Sequence, residues 1–276
     1  MTENPLQKYY RQPKVYLSLP SKGKWYPENT IEGDPENLPV FGMTAMDEIL
    51  FKTPDALFSG EATKSVIKSC IPGIKEPGYV PQIDIDSILI AIRIATYGQN
   101  LNTTYKCTSC NEENTAAMDL TGALDYYSGL NYHNIVYLDP LKITLRPYTY
   151  DEWTQVQMQT YELQRHLLQT SGDMDEEVRK KHLDEMFKKI SRFQLESYKR
   201  QVFTVEADDN VVSDQNQILE WINNSDAVFF EKIQNHLIEQ QKIWALQDQM
   251  SECAECGHNN SVTINLDQSD FFVKQL

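Results

Sequence analysis

Two Cys-x-x-Cys motifs constrain the fold of this 276-residue chain more than any other feature. The first is CTSC at 107–110, and the second is CAEC at 253–256, near the end of the sequence. The stretches that they open, CTSCNEENTAAMDL and CAECGHNNSVTINL, align without a gap, and each has an asparagine four residues after its second cysteine (Asn114 and Asn260). This local repeat predicts two similar tight turns, each leading into a β-strand, and we call each turn a knuckle.

Together the two knuckles are predicted to supply the ligands of one tetrahedral zinc site. The two-residue spacing lets both sulfur atoms of a knuckle face the same ion, and four protein ligands leave no open position for water or substrate. The predicted ligands are Cys107, Cys110, Cys253 and Cys256, and the predicted cofactor is a structural Zn²⁺ that closes a long loop of the chain. His258, just after the second knuckle, stays open as a replacement for one cysteine.

Two other interpretations of the motifs stay open. A redox dithiol usually lies at the start of a helix, whereas strand-like residues flank both motifs here. A zinc ribbon that binds nucleic acid needs basic and aromatic side chains around its knuckles, and neither knuckle has them. The formal net charge of −15, from 40 acidic and 25 basic residues, also opposes binding to phosphate. We therefore expect no nucleic-acid partner.

Several sequence signals that mark secreted, membrane-bound or catalytic proteins are missing from this chain. Residues 1–15 have no apolar signal-peptide core, and no run of 18 or more apolar residues occurs, so we expect no membrane partner. In a reducing cytoplasm, paired cysteines are more often metal ligands or redox groups than disulfides. The fifth cysteine, Cys70, is predicted to be a small apolar residue of a helix. We see no glycine-rich phosphate loop, no Ser-His-Asp pattern and no metalloprotease signature, so we expect no enzyme.

The overall pattern predicts an α+β fold in four parts. They are a polar N-terminal arm (1–13), a mixed α/β module with the first knuckle (14–148), a helical insertion (149–245), and the second knuckle with a tail that packs back on the N-terminal half (246–276). The two distant knuckles form a β-rich clasp similar to a zinc ribbon, and the insertion separates them along the chain.

Local signals predict individual elements within these parts. Thr44, with Asp47 three residues later, predicts a helix start with a weak capping box. Asp139-Pro140 predicts the turn of a β-hairpin. The apolar spacing in the insertion predicts a helical hairpin whose second arm ends near Val205.

A series of segments at 16–98 resembles the baseplate hub subunit family of T4-type contractile-tailed bacteriophages. The series runs YLSLPSKGKWYP, then MTAMDEILFKTPDALFSGEATKSVIKSCIPGIKEP, then DIDSILIAIRIATYG. The order of several segments makes the resemblance more specific than any one of them. It covers about a third of the chain, and the cysteine motifs do not carry it, so the zinc prediction depends on spacing alone.

The resemblance implies a structural, non-enzymatic component of the tail baseplate hub, assembled in the host cytoplasm and located in the virion. The implied partners are other hub, tail-tube or wedge proteins, and a homo-oligomer stays open. Residues 16–98 form the docking module in this interpretation, with Trp25 and Tyr26 as candidate partner contacts, because large aromatic side chains bury much area with little loss of rotamer entropy. Two alternatives remain: the loops around these residues only make tight turns, and the chain is a transient assembly factor that leaves the finished particle.

Overall fold

The computed structural model describes residues 5–169, 176–208, 210–264, 266 and 271–272. The chain divides into two compact units, one made of Met1–Asn131 with Trp244–Leu276 and the other of Tyr132–Ile243. Both units combine helices with small antiparallel sheets, so the predicted α+β class is confirmed. Within the described ranges, none of the helices has the length and apolarity that crossing a lipid bilayer requires.

The α-helices are, in chain order, α1 (Ala45–Phe51), α2 (Pro54–Phe58), α3 (Glu61–Cys70), α4 (Gln82–Tyr97), α5 (Leu120–Gly129), α6 (Tyr150–Gln169), α7 (Glu176–Gln201), α8 (Gln215–Asn224) and α9 (Ala227–Trp244). The strands are β1 (Pro13–Leu17), β2 (Leu38–Phe41), β3 (Asn100–Lys106), β4 (Glu113–Asp119), β5 (Ile135–Leu138), β6 (Leu141–Leu145), β7 (Val202–Ala207), β8 (Asn210–Val212), β9 (Gln249–Glu252) and β10 (Asn259–Val262). Strands β1 and β2, β3 and β4, and β9 and β10 form separate two-stranded sheets in the first unit.

Helix α4 forms the centre of the first unit. Ile90 points to the opposite side of the helix from Ile88 and Ile92, yet all three are fully buried, as expected for a helix enclosed by its neighbours. The neighbouring elements are strands β1 and β2 on one side and helices α3 and α5 on others. Gly98 ends the helix with a φ of +94°, a conformation that residues with a Cβ atom rarely adopt.

The start of α1 confirms the capping box and shows why its acidic residue is buried. Asp47 N donates to Thr44 Oγ1 (3.2 Å), and Thr44 N donates to Asp47 Oδ2 (2.7 Å). The same carboxylate accepts a hydrogen bond from Ser69 Oγ (2.9 Å) in α3. Arg11, from the N-terminal segment, lies 3.7 Å from it and donates to the Gly42 carbonyl (2.7 Å). Polar contacts therefore tie the N-terminal segment to α1 and α3.

The second unit is a four-stranded antiparallel sheet with helices packed on one face. The strand order is β5-β6-β7-β8, and strands β5 and β6 are joined at Asp139-Pro140, which confirms the predicted hairpin turn. One face of the sheet packs against α8 and α9. The core on this side consists of Val136, Leu138, Ile143, Leu145, Val202, Val205, Ile218, Ile222, Phe229, Ile233 and Leu237.

The prediction that the second helical arm extends to Val205 was wrong. Helix α7 ends at Gln201, and strand β7 begins at Val202. Val202 and Val205 are both buried in the sheet core, and β7 pairs with β6 along its length. Pairing with β6 satisfies the backbone groups of these β-branched residues, which favour a strand over a helix.

Because β6 pairs with β7, the hairpin of strands β5 and β6 belongs to the second unit. Sequence proximity placed this hairpin with the N-terminal module, whereas its pairing partner lies beyond the helical hairpin. The division into 1–13, 14–148, 149–245 and 246–276 stays a prediction about domains.

Candidate metal centre

Each knuckle is the turn of its own β-hairpin in the first unit. The first knuckle joins β3 to β4, and the second joins β9 to β10. Equivalent hydrogen bonds close the two turns: Cys107 N donates to the Glu112 carbonyl, and Cys253 N donates to the His258 carbonyl, both at 2.9 Å. The local repeat in the sequence thus corresponds to a local repeat in structure, with each knuckle leading into a strand.

The same backbone reversal follows the second cysteine of each knuckle. Asn111 has a φ of +62°, and Gly257 has a φ of +69°. Asparagine and glycine are the residues that tolerate this left-handed conformation best. The N–H of Asn111 donates to the Cys107 carbonyl (3.0 Å), and the N–H of Gly257 donates to the Cys253 carbonyl (2.9 Å). The turn chemistry therefore brings both sulfur atoms of a knuckle to one side.

The four sulfur atoms lie where a tetrahedral metal ion needs them. All four are within 4.8 Å of one another, with 3.6 Å between Cys107 Sγ and Cys256 Sγ and 3.7 Å between Cys110 Sγ and Cys253 Sγ. A regular tetrahedron with zinc–sulfur bonds of about 2.3 Å has edges of about 3.8 Å. The donor set therefore fits Zn²⁺. The first cysteine of each knuckle is buried and the second is exposed.

Two buried asparagines connect the knuckles across the site. Asn114, in β4, accepts a hydrogen bond from Ala254 N (3.0 Å) and donates to Cys253 Sγ (3.3 Å). Asn260, in β10, accepts from Thr108 N (2.9 Å) and lies with Nδ2 3.6 Å from Cys107 Sγ. Each asparagine thus contacts the buried cysteine of the opposite knuckle and the residue after it. The two hairpins hold each other through a nearly twofold arrangement.

The side-chain amide groups of these two asparagines use most of their hydrogen-bonding capacity. Asn114 Nδ2 also donates to the Glu112 carbonyl (3.0 Å), and Asn260 Nδ2 donates to the His258 carbonyl (3.0 Å). Both side chains are buried, so these bonds are formed without competition from water. The sequence repeat already contained both asparagines, but the pattern gives no signal that their side chains reach across to the other knuckle.

Hydrogen bonds lower the pKa of both buried thiols. At Cys107 the largest cause is the backbone N–H of Cys110, with a smaller contribution from the Asn260 amide, and the pKa falls to about 6. At Cys253 the pKa is also lowered, mainly by the backbone N–H of Cys256. Since the thiolate is the form that binds metal, the knuckles favour the state of the buried cysteines that a metal ion requires.

Two other candidates from the sequence lie apart from the ligand set. The cluster of potential ligands among the described residues consists of the four cysteines and does not include His258, whose carbonyl closes the second knuckle instead. Cys70 is buried at the end of α3, and burial raises the pKa of its thiol to about 12. The prediction that Cys70 is an apolar helix residue is consistent with this position.

Trp25 and Tyr26 lie in the long loop between β1 and β2. Both are half-buried, and the Tyr26 hydroxyl donates to Asp84 Oδ2 (3.1 Å) in α4. Asp84 is fully buried and also accepts hydrogen bonds from the backbone N–H (2.8 Å) and hydroxyl (2.6 Å) of Ser21. Tyr26 thus helps to fix the loop on α4, and a partner contact by either aromatic residue stays a prediction.

Comparison with known protein families shows which family the chain belongs to. The model of a family described as T4 bacteriophage base plate protein matches residues 42–273. The chain belongs to this family. No curated protein and no solved structure matches it. The family match includes both knuckles and the whole second unit, and so extends well beyond the segments at 16–98 that resemble the hub subunits.

Proposed function

We propose that this protein is a structural subunit of the phage tail baseplate hub and that one structural Zn²⁺ stabilises its first unit. The observation that carries the proposal is the family match over residues 42–273, which includes all four cysteines. Its role is to hold other hub, tail-tube or wedge proteins through protein–protein contacts. It is assembled in the host cytoplasm and resides in the virion.

The geometry of the four-cysteine site supports a structural metal rather than a catalytic one. Four thiolates complete the coordination of a tetrahedral ion and leave no position for substrate or activated water. The bound ion joins the β3–β4 hairpin to the β9–β10 hairpin, which are far apart in sequence. Zinc binding then contributes directly to the folding free energy of the first unit.

Helix α1 supports a role in protein contacts. This helix buries Asp47, yet it exposes Met46 (64%) and Ile49 (59%), which lie three residues apart on one side. Phe58 in the neighbouring α2 is also exposed (53%). Clustered exposed apolar side chains often mark interaction sites. Together with the loop that carries Trp25, this surface lies within the segment proposed as the docking module.

Quantitative mass spectrometry of purified phage particles tests the proposal. The chain is counted relative to a tail-tube protein, and lysates of infected cells supply the total amount produced. A small, fixed number of copies per particle is the expected result for a hub subunit. If the chain is abundant in infected cells but missing from particles, the hub-subunit proposal fails and a transient assembly factor takes its place.

A further inference from the structure

In the part of the second unit that the structure describes, one face of the sheet is exposed. Residues that alternate with the core positions on β5 to β8 point away from the packed helices. Four large apolar side chains on these strands are exposed. They are Ile135 (41%), Tyr137 (71%), Phe203 (50%) and Val211 (65%). Such a concentration of exposed apolar side chains on one sheet face is unusual unless another surface covers it.

A single row of cross-strand neighbours defines the chemistry of this open face. Tyr137 pairs with Lys142, Lys142 with Glu206, and Glu206 with Val211, so the row crosses all four strands. Lys142 Nζ lies 3.0 and 3.1 Å from the two carboxylate oxygens of Glu206. From β5 to β8 the side chains of this row are therefore apolar, positive, negative and apolar, and the two charges cancel.

Additional apolar surface flanks this row. Ile135 pairs with Thr144, which pairs with Thr204 in the next strand. The register between β6 and β7 then shifts, so that Leu145 pairs with Val202 and Phe203 is the extra residue of a β-bulge. Its exposed ring adds to the open face on the side of β7.

The charge pattern favours a second copy of the same chain over an unrelated partner. The whole chain carries a formal charge of −15, so most of its surface repels another copy. The open face is an exception, because its central charges are balanced and partly exposed, with 37% of the Lys142 side chain and 34% of the Glu206 side chain accessible. A row with opposite charges on either side of its centre complements itself after a twofold rotation.

We propose that the open face of this sheet is a self-association surface that pairs two copies of the chain about a twofold axis parallel to the strands. This axis reverses the strand order between the facing sheets. Lys142 of each copy then faces Glu206 of the other, and Tyr137 of each faces Val211 of the other. The interface is isologous, as in most symmetric dimers. It is independent of both the zinc site and the baseplate role.

The size of the face predicts a weak dimer. Four strands about 4.8 Å apart, each about four residues long at about 3.3 Å per residue, cover roughly 250 Å² of sheet area per copy. A stable interface buries about 800 Å² on each partner. We therefore expect association at high protein concentration, or where an assembly holds several copies close together.

Charge exchange across the face provides the test. Lys142→Glu makes the centre of the face wholly negative, and Glu206→Lys makes it wholly positive. Each variant also loses the ion pair within the chain, which contributes little to stability because the pair is partly exposed, so both variants remain folded. Lys24→Glu, at an exposed site of the first unit, controls for the change in net charge. Sedimentation equilibrium over a wide concentration range, at low salt, measures association, and circular dichroism checks folding.

The expected result has three parts. The natural chain and Lys24→Glu form dimers, each charge variant alone associates at least tenfold more weakly, and an equal mixture of the two charge variants recovers dimers. Recovery in the mixture is decisive, because it restores the facing charges between chains while each chain still lacks its internal ion pair. The proposal is overturned if the natural chain stays monomeric at the highest concentration, if the single variants associate as tightly as the natural chain, or if the mixture does not recover association.

Discussion

Replacing either buried asparagine of the metal centre with aspartate should weaken metal binding strongly. Asn114→Asp keeps the shape of the side chain and the oxygen that accepts from Ala254 N. It removes the amide N–H groups that donate to Cys253 Sγ and to the Glu112 carbonyl. It also places a carboxylate beside a thiolate in a buried position.

The magnitude follows from the bonds that are lost. Two buried hydrogen bonds at about 1 kcal/mol each give a loss of about 2 kcal/mol, and the added charge repulsion increases it. Since 1.4 kcal/mol corresponds to a factor of ten, we expect zinc affinity to fall by about 30-fold or more. Asn260→Asp should cause a similar loss, because its contacts repeat those of Asn114 on the other knuckle.

Competition with a chromophoric chelator at neutral pH measures the zinc affinity of each variant. Asn259→Asp is the matched control, since it adds the same charge at an exposed residue next to Asn260. We expect this control to change the affinity by less than about threefold. The absorption spectrum of the cobalt-substituted protein gives a second readout, because loss of hydrogen bonds to sulfur shifts the sulfur-to-metal charge-transfer bands.

The reasoning is refuted if Asn114→Asp and Asn260→Asp bind zinc as tightly as Asn259→Asp does. A large effect of only one of the two buried asparagines also contradicts it, since the two hairpins are related by a nearly twofold arrangement. An unchanged cobalt spectrum, despite weaker binding, would assign the effect to folding rather than to the sulfur ligands.

Three further predictions concern stability and ligand equivalence. Burial raises the pKa of Asp84 from 3.8 to about 6, so the folded chain holds this proton more tightly than the unfolded chain does. The free energy of unfolding should therefore fall by about 2 kcal/mol as pH rises from 4 to 6, and urea titrations should show this slope reduced in Asp84→Asn. Gly73→Ala should lower the free energy of unfolding by about 1–3 kcal/mol, because a Cβ atom there lies 2.7 Å from a backbone carbonyl oxygen. Gly122→Ala, in a helix with open space around it, should be neutral or stabilising. Calorimetric scans in which both variants behave alike contradict this. Cys107→Ser and Cys253→Ser should reduce bound zinc equally in elemental analysis, because each removes one ligand of the same site. If the natural chain binds two metal ions and each variant keeps one of them, the single-site account is wrong.

The clustering of the four cysteines could be predicted from sequence because its signal is local. The spacing within each Cys-x-x-Cys motif, together with the aligned repeat, indicates two turns with the same chemistry, and the structure brings them together as one cluster. The start of α1 could also be predicted, since Thr44 and Asp47 form their capping box within one turn. In both cases the residues that decide the structure are close neighbours in the sequence.

The features that sequence missed depend on contacts between distant residues. The helical pattern of α7 continues without an obvious break into Val202, and only pairing with β6 makes the following residues a strand. The direction of the Asn114 side chain likewise depends on a hydrogen bond from Ala254 N in the second knuckle, which is distant in sequence. The hydrogen bond from the Tyr26 hydroxyl to Asp84 in α4 also joins residues far apart in sequence, and no local pattern predicts it, while a partner contact by Tyr26 stays a prediction.

Elemental analysis combined with X-ray absorption of the purified chain tests the central claim most directly. The account predicts one zinc per chain, coordinated by four sulfur atoms at about 2.3 Å, after purification under reducing conditions with zinc present. A chain that binds no zinc under these conditions, or zinc with nitrogen or oxygen ligands in its first coordination shell, would contradict the closed four-cysteine site.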